Sequence, residues 1–160
     1  MAEMEHYPNF QKDNYIHPKA AWDKLRMAGA RRQNVYLYAA TGYGKTELLH
    51  RYLRRRRHIW LSGEGLTVET LQEIALPAEA TMVIDDLARV LDPAVRREIV
   101  SMLDQPGGGV WLVLAGRCPL PRWLTRPYVN GRLSVIPEED LRLSEKEIAQ
   151  LYLSWGVPLP

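Results

Sequence analysis

Apolar positions along this 160-residue chain switch repeatedly between two periods, and the switches predict alternating strands and helices. Four short β-prone runs stand out: Val35 to Tyr38, Ile59 to Leu61, Met82 to Ile84 and Val110 to Ala115. A weaker fifth runs from Leu133 to Ile136. The fourth run is apolar without interruption, as a strand covered on both faces should be. Between the runs, apolar residues recur at helical spacing. Trp22 and Leu25 mark a helix over 18–29, and Leu48, Leu49, Tyr52 and Leu53 mark one over 45–57. Leu71, Ile74 and Ala75 point inward from 67–75, and Val95, Ile99, Met102 and Leu103 stripe 93–104. Residues 120–130 predict helix in part, and 145–154 a last helix.

Punctuation agrees with these boundaries. Pro18 sits near the start of the first helix and Gly29 reads as its stop. Thr67 and Asp92 are N-cap residues, with Pro93 at the first helical position. Gln105 to Gly109 ends that helix. Ser144 and Glu147 form a capping box, with Leu143 and Ile148 spaced to staple it. Strands joined by crossover helices mean one α/β unit with a parallel sheet and helices on both faces. The expected division is a loose polar tail over 1–14, the α/β unit over 15–143, and a terminal helix over 144–160 that begins a further region.

Composition adds exclusions. Apolar residues at 46% and charged residues at 25% are ordinary for a globular protein and exclude a disordered chain or a coiled coil. No apolar run is long enough to span a membrane, and the start of the chain lacks a secretory leader. The single cysteine, Cys118, suits a reducing compartment, so the expected location is cytoplasmic. The net charge of +2 is unevenly spread: residues 26–58 hold nine basic residues and one acid, a local +8.

Within that basic segment, Ala39-Ala40-Thr41-Gly42-Tyr43-Gly44-Lys45-Thr46 matches the phosphate-loop pattern Gly-x-x-x-x-Gly-Lys-Thr, except that Ala39 replaces the first glycine. Gly42 and Gly44 let the backbone bend so that several N–H groups face one hollow, and the following helix adds its positive end. The nucleotide-binding residues expected here are Thr41, Gly42, Tyr43, Gly44, Lys45, Thr46 and Glu47. Lys45 would reach the β- and γ-phosphates, and the Thr46 hydroxyl would ligate Mg²⁺. The context carries much of the weight, because the loop follows a predicted strand and opens a predicted helix.

Forty residues on, the third apolar run ends in Asp85-Asp86. A strand ending in carboxylates places them at the carboxyl edge of the sheet, where the phosphate loop also lies. Asp85 would hold Mg²⁺ and Asp86 would orient or deprotonate an attacking water. The fourth run leads into Gly116-Arg117. If that strand lies between strands one and three, Arg117 faces the γ-phosphate and can sense its presence. The expected catalytic set is Lys45, Asp86 and Arg117.

These motifs together resemble the nucleotide-binding module of LuxR-type, MalT-like transcriptional regulators, which are signal-transducing P-loop NTPases of the STAND class. The loop of that family commonly reads Ala-Pro-x-Gly-Tyr-Gly-Lys-Thr; here Ala40 replaces the proline and Ala39 is the family residue. Trp60-Leu61-Ser62, Ile84-Asp85-Asp86-Leu87, Leu112 to Arg117 and Asp140 to Ser144 match further family segments in order. The stretch between Leu61 and Met82 is shorter than in the family. Gly156-Val157-Pro158 has the winged-helix Gly-x-Pro form but follows Arg117 too closely, and reads as loop.

The resemblance implies a three-layer P-loop NTPase sandwich, its five-stranded, mainly parallel sheet in the order 5-1-4-3-2. It implies ATP or ADP with Mg²⁺ as cofactors, slow or absent hydrolysis, and nucleotide-dependent self-association. It also implies downstream effector and helix-turn-helix domains, with DNA bound only through the latter. The alternative is a stand-alone small ATPase or nucleotide kinase, although Arg122, Arg126 and Arg132 show no lid spacing. The arginine run at 54–57 reads as a solvated helix end, where cations suit the dipole, rather than as a nucleic-acid site. Nothing corresponds to a guanine-reading motif, so ATP is the expected nucleotide.

Overall fold

The structure is a computed structural model that describes residues 15–74, 76–77, 79–105 and 109–157. The expected tail over 1–14, the inward Ala75, residues 106–108 of the helix stop and Pro158 of the Gly-x-Pro sequence lie outside the described residues.

The strands form one five-stranded sheet: β1 (Val35–Tyr38), β2 (His58–Ser62), β3 (Thr81–Asp85), β4 (Trp111–Gly116) and β5 (Ser134–Ile136). Their order is β2-β3-β4-β1-β5, and every pairing is parallel. That is the expected order, with no antiparallel member among the described strands. The helices are α1 (Lys19–Arg31), α2 (Lys45–Leu53), α3 (Val68–Glu73), α4 (Pro93–Leu103), α5 (Thr125–Val129) and α6 (Glu145–Ser154). Short 3₁₀ turns cover Leu87–Arg89, Arg122–Leu124 and Glu138–Leu141.

Strand residues alternate between the two faces of the sheet, so the sequence period of two produces two separate cores. Val35, Leu37, Val83, Val113 and Ala115 join Leu25 of α1 and Leu48, Leu49 and Leu53 of α2 on one face. Tyr36, Met82, Ile84, Leu112 and Leu114 join Leu71 of α3 and Val95, Ile99 and Leu103 of α4 on the other. All six residues of β4 are buried. Each fully buried leucine or valine there is worth about 1.5–3 kcal/mol relative to exposure, which is why β4 is the most apolar run in the chain.

The expected caps form. Thr67 Oγ1 accepts from Thr70 N, Asp92 Oδ1 accepts from Ala94 N, and both halves of the Ser144–Glu147 capping box are present. Two local expectations are corrected. Gly29 does not stop α1; it is buried inside that helix, and Arg32 at φ 52° supplies the left-handed terminus. A Cβ on Gly29 would lie 2.5 Å from Tyr52 Oη and 3.2 Å from the Trp111 ring, so close packing, not chain reversal, requires the glycine. Likewise α2 ends at Leu53, and the arginines at 54–57 lie in the turn leading to β2 rather than on the helix.

No helix among the described residues is long and apolar enough to cross a membrane. The last helix, α6, buries none of its residues fully; Ile148, Leu153 and the following Trp155 are 40%, 69% and 55% exposed.

Candidate functional site

Parallel pairing places the carboxyl ends of β1, β3 and β4 side by side, because β4 inserts between the other two. The segments leaving these three ends build a cleft of about 410 Å³ lined by the loop 40–42, Gly44, Lys45, Thr46, Glu47, Asp85, Asp86 and Arg117. Residues from three distant parts of the sequence therefore meet at one edge. Nine of the ten expected site residues line this cleft. Tyr43 does not; it stands at the loop tip, 37% exposed.

The loop has the backbone that its glycines predict. Gly42 and Gly44 have φ of 94° and 78°, and a Cβ at either position would meet nothing within 4 Å. The requirement is thus conformational, for the left-handed region that side-chain-bearing residues avoid. α2 begins at Lys45 directly after Gly44. The first N–H groups of a helix have no intrahelical partner, so its start is suited to anions. Ala39, which replaces a glycine of the pattern, is fully buried and donates its N–H to Gly116 O at 3.1 Å. A methyl group is accommodated there because the residue belongs to the core rather than to the hollow.

Lys45 Nζ donates to the same Gly116 carbonyl at 2.9 Å, so β4 holds the ammonium at the mouth of the cleft. Burial pulls the Lys45 ammonium below the usual lysine range; the Asp85 and Asp86 carboxylates oppose that shift and Arg117 adds to it. All four charged side chains line the same cleft.

Asp85 Oδ1 accepts from Asp86 N at 2.8 Å, which orients the first carboxylate. Asp86 itself has φ 51° and ψ 49°. A left-handed conformation is uncommon for a residue other than glycine, and aspartate and asparagine are among those that tolerate it best. Neighbouring backbone holds it: Asp86 O accepts from Arg89 N, and Gly63 N donates to Asp85 O at 2.7 Å. A Cβ on Gly63 would lie 2.4 Å from Asp86 O, so this turn needs the bare glycine after β2. Glu47 lines the cleft while pairing with Arg51 one turn on, at 2.8 Å.

One contributor was not legible in the sequence. Glu138 Oε1, from the 3₁₀ turn after β5, accepts from Ala40 N at 2.8 Å. It thereby ties the beginning of the phosphate loop to the segment that leads into α6. Glu138 stands in an acidic stretch with no motif around it, so only its position beside β1 reveals the contact.

Among the described residues, no group of three or more acidic, histidine or cysteine side chains converges as a metal centre. The donors expected to hold a cation here are the Thr46 hydroxyl and the Asp85 carboxylate, and both line the cleft. That set suits Mg²⁺, which keeps several waters and binds through one or two carboxylates together with substrate phosphates.

No family model matches the chain, and no curated protein matches its sequence. Solved structures do match. A chain in "Structure of Drosophila ORC bound to DNA" is 14% identical with a TM-score of 0.56, over 75% of this chain and 88% of that one. The Thermotoga maritima RuvB Holliday junction branch migration motor is 20% identical with a TM-score of 0.57, over 89% of this chain and 52% of that one. This chain thus spans about half the length of the RuvB chain. Together with the all-parallel order, these matches establish a P-loop NTPase-like α/β fold.

Proposed function

We propose that this chain is an ATP-binding switch module, the nucleotide-binding part of a cytoplasmic LuxR-type regulator of the STAND class, with slow or absent hydrolysis. The observation that supports it most is the convergence of Lys45, Thr46, Asp85, Asp86 and Arg117 on one cleft at the carboxyl edge of the sheet. The motif order shared with that family supports the narrower assignment. So do the exposed apolar side chains of α6, which suit a following effector region.

In this reading, loop N–H groups and the start of α2 hold the phosphate oxygens. Lys45 exchanges the Gly116 carbonyl for the β- and γ-phosphates. Thr46 and Asp85 would hold Mg²⁺, which when bound neutralises phosphate charge. Asp86 orients or deprotonates water, and Arg117 reads the γ-phosphate, so its contacts differ between ATP and ADP. Self-association and effector coupling would follow from that difference. DNA would be bound by the regulator's helix-turn-helix domain.

Thermal denaturation with and without ATP·Mg²⁺ tests the reading. The melting temperature should rise with the nucleotide, and Lys45→Ala should remove the rise. No shift in the unmodified chain refutes nucleotide binding. Steady-state turnover should fall far below the median enzyme rate of about 10 s⁻¹. Turnover at that rate, or phosphoryl transfer to a second nucleotide, would favour the stand-alone enzyme.

A further inference from the structure

The opposite, amino-terminal edge of the sheet carries an accumulation of arginines that no part of the nucleotide reading uses. Parallel strands all begin at this edge, so each segment that enters a strand is deposited there. The segment before β1 contributes Arg31 and Arg32, the segment before β2 contributes the arginines at 54–57, and the segment before β5 contributes Arg132. Seven of the chain's 16 arginines thus come together from three separate stretches of sequence. All seven are exposed. Of the acidic residues, Glu79 before β3 and Asp104 after α4 stand near the same edge.

The edge is organised rather than frayed. Arg57 O accepts from Thr81 N, which seats the run at 54–57 against the start of β3. Arg32 Nη2 donates to Gly109 O at 3.1 Å, Gln33 Nε2 donates to Gly131 O at 2.9 Å, and Arg132 N donates to Pro127 O at 2.8 Å. These bonds close a polar cleft of about 310 Å³ with Arg31, Arg32 and Arg132 on its walls. Among the described residues, Arg31, Arg132 and the arginines at 54–57 enter no ion pair. By contrast, Lys19, Lys24, Arg26, Arg51 and Arg142 on other surfaces are paired with carboxylates.

We propose that this edge is a docking surface for the phosphate backbone of a nucleic-acid strand. Four inter-strand steps of about 4.8 Å separate β2 from β5, so the arginines span about 19 Å. That length faces several consecutive phosphates of one strand, and seven arginines are available to meet them. Guanidinium forks suit phosphate geometry. Tyr128, 48% exposed on the same turn as Arg132, offers a ring for an unpaired base, which an acidic peptide would not use. The surface lies at the other end of the strands from the Lys45 cleft, so its occupancy is independent of the nucleotide reading.

Fluorescence anisotropy of a labelled 20-nucleotide single-stranded DNA against the whole chain, over a salt series, tests this. With about six phosphate contacts, log affinity should fall against log salt with a slope of about −4. Arg55→Glu/Arg57→Glu/Arg132→Glu should flatten the slope to about −2 or less, and the triple lysine variant should retain binding. Arg26→Glu/Arg97→Glu/Lys146→Glu, an equal charge change elsewhere, should bind with the original slope. Tyr128→Ala should weaken the single strand about fivefold or more. Circular dichroism of each variant verifies folding, and the lysine variant carries the test if the glutamate variant fails to fold. The proposal is overturned if the unmodified chain does not bind at low salt, or if both charge-reversed triples lose binding equally. It is also overturned if Tyr128→Ala has no effect while poly-glutamate binds more tightly than the oligonucleotide, the result expected of an acidic protein partner.

Discussion

Replacing Glu138 by alanine should loosen the phosphate loop without altering any residue of the cleft itself. Its carboxylate accepts the Ala40 N–H at 2.8 Å and lies 3.8 Å from the Arg142 guanidinium. A hydrogen bond to a charged acceptor contributes about 1.5–3 kcal/mol when shielded. Here the side chain of Glu138 is 24% exposed and Ala40 is exposed, so water can replace part of the bond. The expected cost is therefore lower, about 0.5–1.5 kcal/mol. The Arg142 pair adds little, because that side chain is 58% exposed. For a domain of this size, the loss corresponds to about 1–6 °C in melting temperature. Where the same bond pre-organises the loop, ATP affinity falls about two- to tenfold, since each 1.4 kcal/mol is about a factor of ten. The assay is thermal denaturation across an ATP·Mg²⁺ titration for Glu138→Ala, Glu138→Gln and Arg142→Ala. Glutamine keeps an acceptor and should lose less than alanine. If Glu138→Ala matches the parent in both melting temperature and affinity, Glu138 does not position the loop. If Arg142→Ala reproduces its effect in full, the ion pair and not the loop contact is responsible.

Gly29→Ala opposes two effects: alanine gains about 1 kcal/mol of helix propensity, but its Cβ meets Tyr52 Oη at 2.5 Å. Overpacking at about 1–3 kcal/mol should win, giving a lower melting temperature in chemical or thermal denaturation; a stabilised variant would contradict the packing argument. Stability should also fall in alkaline solution. Burial pushes the Tyr15 phenol up to about 12, with Glu47 adding to that rise, and burial pushes Tyr36 higher still. Folded-state values above the unfolded value of 10 mean that the unfolded chain gives up these protons first. Stability is thus complete below pH 10 and declines as pH rises through about 12. Urea midpoints measured from pH 8 to 12 check this, and a midpoint that rises above pH 10 would contradict the sign. In Tyr36→Phe the decline should be shallower, although the loss of the bond to Cys118 O at 2.6 Å lowers stability at every pH.

Much of the fold was legible because its signals are local. The uninterrupted apolar run of β4, the Asp92-Pro93 start of α4 and the Ser144–Glu147 box each depend on residues a few positions apart. The phosphate loop was legible for the same reason, since its glycines serve backbone angles within the loop. Gly29 was misread because a helical glycine beside a predicted end resembles a stop, while its cause is a contact with Tyr52 and Trp111, far away in sequence. The left-handed Asp86 and the Glu138 bond were invisible because neither has a local signature.

The alternation of strands and helices, the glycine-rich loop at 40–46, and the carboxylates and arginine at the ends of β3 and β4 follow from the amino-acid order alone. Local backbone preference and side-chain periodicity are enough to specify those. Long-range packing inserts β4 between β1 and β3, and that insertion brings Asp85, Asp86 and Arg117 to the loop at 40–46. The same packing gives Arg31, Arg32, Arg132 and the run at 54–57 one shared edge. In sequence these are three unrelated basic stretches, one of them with the pattern of a helix end. Parallel pairing gathers them, because every strand must begin on the same side of the sheet.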